Sequence, residues 1–480
     1  MERRRLLALS GGLFAVALAG CVGNDGTDDA ADTDATDENT PEQADETDEN
    51  ADETSHSSVE DDTETTAGVE DDDMETLVAG TNGFAFDLYR ELLAETPDEN
   101  LFTSPVSISL ALAMTYAGAR EETREQMRES LRYELDDGLL HAAFGELQRE
   151  LDERGEGETE EDEIEEDDSE EGDEDDATDD RADDAEQPFE LSVVNSVWGQ
   201  EEFPFEDAYL DILETHYGSP LREVDYRTDA EGAREEINQW VADETEDRID
   251  DLLPQGSLDS LTRLVLVNAV YFLASWQYPF PEGRTEEETF TALDGSEHDV
   301  QLMRQEHTWE YATVDGAQAV DLPYVGEEVS MLVILPPEGQ FETYESEFDE
   351  ETLETVVDEL EHEDGTVALP RFEFEGSFQL SSALEALGMT DAFDPQAANF
   401  EGIADTDELF IHEAFHDTFV AVDEEGTEAA AATGVAIGVT AAPADPFEFV
   451  ADRPFLFAIR DRPTGSLLFL GRAVDPTDWE

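Results

Sequence analysis

Residues 423–439 read Asp423-Glu424-Glu425-Gly426-Thr427-Glu428-Ala429-Ala430-Ala431-Ala432-Thr433-Gly434-Val435-Ala436-Ile437-Gly438-Val439. A dense run of small residues beside a β-prone stretch can be a mere linker. A linker, however, has no reason to alternate, and this segment does. If Glu428 faces water, because an unpaired buried carboxylate is costly, counting by twos puts Ala430, Ala432, Gly434, Ala436 and Gly438 on the same side. The opposite set is Thr427, Ala429, Ala431, Thr433, Val435, Ile437 and Val439. That set carries no charge, starts small and ends β-branched, the pattern of a strand with one face for a packed core.

Just upstream, Leu409-Phe410-Ile411 and Thr418-Phe419-Val420-Ala421-Val422 predict a strand over 409–423. It contains His412-Glu413-Ala414-Phe415-His416, the H-E-x-x-H pattern of zinc proteases. That chemistry needs a helix to bring both rings over one metal. On a strand, residues four apart lie about 13 Å from each other, too far to share a zinc ion. No G-x-S-x-G elbow and no phosphate-cradling glycine loop occurs, so hydrolase and nucleotide-binding readings lack support.

Further out, helical periodicity begins near Met74, with Leu77, Phe84, Leu88 and Leu92 on one face, and a second apolar helix follows Ser104-Pro105. Residues 189–199 alternate as a strand that Trp198 closes, and 206–217 and 229–245 read as helices. The run Leu264–Phe272 is apolar at strand length, which indicates burial on both faces of a sheet. Strands are also expected at 317–323, 329–335, 366–374 and 455–471, with a helix at 378–387. Helices early, strands late and no regular alternation predict an α+β fold around a large mixed sheet.

Composition sets the working conditions. The 480 residues carry 129 acids against 23 bases, a formal charge of -106, and all 23 bases are arginine. Such an excess excludes nucleic acid and anionic membrane as partners for a basic face. The 39% hydrophobic content and 26 Phe argue against disorder throughout. Roughly a third of the carboxylates lie in 24–75 and 152–187, the latter read as a solvated loop insertion that attracts cations nonspecifically. Near 1 M salt the Debye length falls to about 3 Å, so this self-repulsion largely vanishes. We expect a halophilic protein that works in brine.

The chain opens Met1-Glu2-Arg3-Arg4-Arg5, followed by an apolar stretch from Leu6 to Gly20. A basic start and a short apolar middle describe an export signal over 1–20, and the paired arginines suggest the twin-arginine route. Leu18-Ala19-Gly20-Cys21 resembles a lipobox, in which the only cysteine, Cys21, receives lipid. Residues 21–75 are expected to be a flexible acidic tether. The protein is thus expected outside the cell, on a lipid anchor.

The segment Glu424–Thr433 closely resembles the hinge of an inhibitory serpin's reactive-centre loop. The resemblance covers nearly all of 76–476. It includes Asn100, Phe102–Ile108, Ala111–Met114, Ile237–Val241, Asn268–Phe272, Trp276, Ala451–Phe457 and Phe469–Arg472, in the family's order. It implies a large central mixed sheet, two smaller sheets, about nine helices and an exposed loop over 424–446. It implies a suicide-substrate inhibitor, not an enzyme: a serine protease acylates at the loop, which then inserts as a new strand and drags the protease with it. The alternating set beginning at Thr427 is what such a strand needs. Counting at the family's usual spacing places the scissile bond at Thr440-Ala441. The hinge comprises Glu424, Glu425, Gly426, Thr427, Glu428, Ala429, Ala430, Ala431, Ala432 and Thr433. Ser104, Ser107, Asn268 and His416 resemble the polar cluster beneath the central strands, and Trp276 the tryptophan where the loop enters. The resemblance implies a monomer and a covalent acyl partner, the target protease, and calls for no cofactor or metal. The alternative is a serpin-like binding module cut as a plain substrate.

Overall fold

Two sheets and ten α-helices make up the described part of the structure, a computed structural model that describes residues 12–20, 68–156, 189–219, 221–244, 253–406, 408–427 and 446–479. The first half supplies β1 (Gly12–Gly20), α1 (Asp71–Glu95), β2 (Leu101–Thr103), α2 (Pro105–Gly118), α3 (Glu121–Ser130), α4 (Asp137–Glu156), β3 (Phe189–Gln200), α5 (Asp207–Tyr217), β4 (Leu221–Val224) and α6 (Tyr226–Glu244). The middle supplies β5 (Thr262–Ser275), β6 (Glu286–Thr291), β7 (Glu297–Val314), β8 (Ala317–Pro323), β9 (Val329–Leu335), α7 (Phe341–Glu347) and α8 (Glu350–Asp358). After these come β10 (Glu361–Pro370), β11 (Phe372–Gln379), α9 (Leu380–Leu387), α10 (Thr390–Phe393), β12 (Leu409–Val422), β13 (Gly426–Thr427), β14 (Phe447–Val450), β15 (Phe455–Asp461) and β16 (Leu467–Ala473). The described residues from Val69 onward and the N-terminal strand belong to one compact unit.

The main sheet runs β11, β12, then a lane shared by β1 and β13, then β5, β3 and β4. Neighbours are antiparallel except β3 and β4, so the sheet is mixed. In the second sheet the order is β14-β10-β7-β8-β9-β15-β16-β2, with β6 beside β7. The long β7 pairs with β6 and β10 along one part and with β8 at its end, and so joins two smaller expected sheets into one hydrogen-bonded path.

Local sequence explains the helices that support the main sheet. Three acids, Asp71, Asp72 and Asp73, complement the positive end of α1. Its Leu77, Phe84, Leu88 and Leu92 are buried, and each large side chain removed from water contributes about 1.5–3 kcal/mol. In α2, Pro105 sits in the first turn, where its missing N–H costs nothing, and every residue from Pro105 to Gly118 is buried. A helix apolar all round is one covered on all sides. Within the second sheet Phe102 of β2 stacks on Phe469 of β16, centroids 4.9 Å apart.

The elements differ from the sequence reading in places. The expected strand 366–374 is two strands, β10 and β11, separated at Arg371, and 455–471 is a hairpin turned at 462–466 with Gly465 at φ 77. The expected helix over 229–245 begins at Tyr226 and carries a kink at Asp229. The apolar core of the expected export signal is placed as a strand, β1. Helix α4 ends at Glu156, and residues 157–188, most of the acidic insertion, lie outside the described residues.

Candidate functional site

The lane between β5 and β12 is where the hinge enters. At its upper end Gly426 and Thr427 form β13, paired with Ser275 and Ala274 of β5 and, through Thr427, with Val422 of β12. Only glycine fits at 426, since a Cβ there would lie 2.0 Å from the Ala274 carbonyl oxygen. Thr427 is 3% exposed, and its hydroxyl pairs with the Tyr324 hydroxyl at 2.8 Å. Burial pushes the Tyr324 phenol far up, so it keeps its proton for that bond. The Tyr324 ring stacks on Trp276, centroids 4.6 Å apart and planes within 8°. Trp276 holds the turn before the hinge: its backbone N–H donates to the Glu425 carbonyl at 2.8 Å and its Nε1–H to the Asp423 carbonyl at 3.0 Å. Asp423 Oδ1 in turn accepts from the Glu425 and Gly426 N–H groups, an Asx turn that fixes the chain's entry into the lane.

Glu424 anchors the chain just before it enters the lane. Its carboxylate is nearly buried and accepts from Arg371 at 2.5 Å and from the Thr285 hydroxyl. Burial alone would raise its pKa, but the hydrogen bonds from Arg371 and Thr285 outweigh it and hold the carboxyl below its usual range. The same contact raises Arg371. The Glu424 carbonyl accepts from the Phe280 N–H at 2.8 Å.

The expected polar cluster lies under the same lane. Ser104 precedes α2, donates its N–H to His416 Nε2 at 3.0 Å and its hydroxyl to the Leu468 carbonyl at 2.9 Å. Acceptance at Nε2 puts the ring's lone pair there. Ser104, Ser107 and His416 are all buried, while the Asn268 side chain lies outside the described residues. The Asn268 backbone sits in β5 opposite Asn195 of β3. His412 and His416 share β12, an extended strand, which separates the ends of the zinc-like pattern as strand geometry requires.

Below the hinge, the lane holds β1. It runs antiparallel to both neighbours, with Leu13 opposite Ala269 and Asp417, and Phe14 opposite Asn268 and His416. Residues 428–445, with Glu428, Ala429, Ala430, Ala431, Ala432, Thr433 and the Thr440-Ala441 bond, lie outside the described residues, as does Cys21. The structure therefore brings together Trp276, Glu424, Glu425, Gly426 and Thr427 at the mouth, and Ser104, Ser107 and His416 beneath. Sequence reasoning missed Tyr324, Arg371 and Thr285. Arg371 gives a faint signal as a lone cation between two strands, next to Pro370; Tyr324 and Thr285 give none, because their partners lie over a hundred residues away.

The serpin model, described as serine protease inhibitor, matches residues 79–476. An uncharacterized serpin-like protein of Thermococcus kodakarensis is 38% identical, over 84% of this chain and 86% of its own length. Antithrombin-III of Homo sapiens is 34% identical over 82% of this chain and 80% of its own, and leukocyte elastase inhibitor A of Rattus norvegicus 35% over 82% and 97%. Among solved structures, uncleaved ovalbumin superposes with a TM-score of 0.68 at 29% identity, and a loop-inserted, cleaved ovalbumin mutant with 0.69 at 28%. Each covers 84% of this chain and all of its own.

Proposed function

The chain belongs to the serpin family, and we propose that it is a suicide-substrate inhibitor of extracellular serine proteases. In this reading the protease serine Oγ attacks the Thr440 carbonyl, the Ala441 nitrogen leaves, and the acylated loop enters the lane between β5 and β12. The protease is carried along before water reaches the ester. The observation that carries the reading is Thr427, already buried at the mouth of that lane with Gly426 paired beside it. Thr427 belongs to the uncharged alternate set, which is the set an inserting strand must turn to the core. The chain's relatives include proteins named antithrombin-III and leukocyte elastase inhibitor A.

Val439, Thr440, Ala441 and Ala442 are small and uncharged, which suits proteases with a small or permissive apolar primary pocket, of elastase-like or subtilisin-like preference. The export signal over 1–20, the lipid on Cys21 and the acidic tether would place the inhibitor on the outer face of the cell, working in molar salt. Incubation of the chain freed of residues 1–20 with a subtilisin-like protease in such salt tests the reading: an SDS-resistant complex is expected, with the cut at 440–441. A second reading, a serpin-like module cut as a plain substrate, is favoured by one observation, the strand β1 in the lane the loop would need. Cleavage without complex, whatever occupies that lane, would establish it.

A further inference from the structure

We infer that Gly12–Gly20 is an internal plug, which occupies the loop's insertion lane and keeps the chain from trapping a protease until that segment is withdrawn. The inference rests on the inhibitor reading above and adds a control to it.

Register carries the argument. Thr427 stands opposite Ala274 of β5 and Val422 of β12. Continuing the hinge downward in step with β5 would set Ala432 opposite Ala269; continuing it in step with β12 would set Ala432 opposite Asp417. Leu13 of β1 stands opposite both of those residues. Two independent pairings thus give the same answer: β1 lies in the loop's own lane, runs in the loop's own direction and keeps the loop's own register. Gly12, opposite Val270, takes the place of Ala431, and Phe14 and Val16 take the core-side register positions of Thr433 and Val435. The two pairings stay in step down to Ala17, where the β12 side slips by one residue.

The chemistry of the segment fits the same lane. In a chain of net charge -106, Gly12–Gly20 reads Gly-Leu-Phe-Ala-Val-Ala-Leu-Ala-Gly, without one charge. The loop from Ala429 to Ala444 is likewise a long uncharged stretch, of Ala, Gly and β-branched residues, that could enter a packed sheet without burying a carboxylate. With β1 seated, a cleaved loop could add only Glu428 to Ala430 below the hinge before meeting Gly12. The protease would then stay near the mouth, and water would finish the cut. The plug segment is also the apolar core of the expected export signal, so passage across the membrane would empty the lane and arm the inhibitor only outside the cell that made it.

The test uses the full chain, produced without export. In a Cys21→Ser background, Ala15→Cys with Val267→Cys joins residues that face each other across β1 and β5, at a Cα separation of about 4.5–5.5 Å that suits a disulfide. Ala19→Cys with Val267→Cys, out of register, is the control. In parallel, Ala15→Pro with Ala17→Pro, which a central strand cannot accept, is compared with the unchanged chain for SDS-stable complex with a subtilisin-like protease. The inference expects a disulfide only in the facing pair, and complex formation at least about tenfold faster in the proline variant. Absence of the disulfide, or equal trapping by the two chains, overturns the plug while the inhibitor reading survives. Cutting without complex in both chains defeats the inhibitor reading and the plug's role with it.

Discussion

Thr427→Arg should convert the inhibitor into a substrate, and the structure sets the scale. Thr427 is 3% exposed, and its hydroxyl is satisfied by Tyr324. Replacing it removes that bond, about 1 kcal/mol net, and asks a cation to enter the lane. Two buried acids in the neighbourhood are already engaged: Asp321 with Arg460 at 3.2 Å and Arg462 at 3.5 Å, and Glu424 with Arg371 and Thr285. An unpaired buried ion costs several kcal/mol even after relaxation. The substitution would therefore expel the hinge to solvent in the uncleaved chain, and its re-entry after the cut would cost roughly 4 kcal/mol, which slows insertion by about a thousandfold relative to hydrolysis of the acyl-enzyme. The assay is the ratio of SDS-stable complex to cleaved chain against a subtilisin-like protease in molar salt. It is best read in the Ala15→Pro, Ala17→Pro background, where the lane is open. Glu428→Ala, on the alternate, solvent-side set, should leave the ratio within about twofold. Equal losses from the two substitutions would refute the parity on which insertion rests.

Four further outcomes follow from the ion pairs and buried rings. Arg371→Glu sets a second carboxylate against buried Glu424 and should release the hinge, read as faster amide exchange at Gly426 and Thr427. The same anchor should fail in acid: the Glu424 pKa is depressed in the fold, so its contribution is present above the ordinary glutamate range and is lost as pH falls through the lowered value. Arg472 is fully buried and pairs with Glu345 at 3.1 Å, while Glu345 also accepts from Tyr89. Arg472→Leu alone should cost about 3–5 kcal/mol in denaturant unfolding, and Arg472→Leu with Glu345→Leu much less. His141, buried against the Tyr217 hydroxyl at 2.7 Å, has its pKa lowered to about 3, by burial first and the neighbouring His216 second. The unfolded chain takes up that proton near pH 6.5 and the folded chain does not, so stability should fall by about 1.4 kcal/mol per pH unit from there towards pH 3. His141→Gln should remove that slope.

Much of the fold was readable because the strands that bury both faces announce themselves. The fully buried β9 falls at 329–335 as its sequence predicts, and Leu264–Phe272 forms the centre of β5. The long hairpin of β6 and β7 was not readable. Its strands are rich in acids, among them Glu286, Glu287, Glu288 and Glu297. A surface selected for carboxylates gives the wrong residues for strand propensity even where the alternation is sound. The hinge was readable through parity, a property of one segment read alone. Its anchors were not, since Arg371 and Glu424 meet only because β11 and β12 pair side by side. The N-terminal strand shows the opposite limit. Its apolar run suits a signal segment and a central strand equally, and composition cannot tell one from the other.

The most direct measurement is the unfolding temperature of the open-lane chain in molar salt, before and after the loop is nicked at 440–441. If the cut loop enters the lane between β5 and β12, two strand edges gain a partner and the nicked form should melt higher by on the order of 10 °C or more. A nicked form that melts with the intact one, or below it, would mean that the loop stays outside and that the main sheet has no use for it.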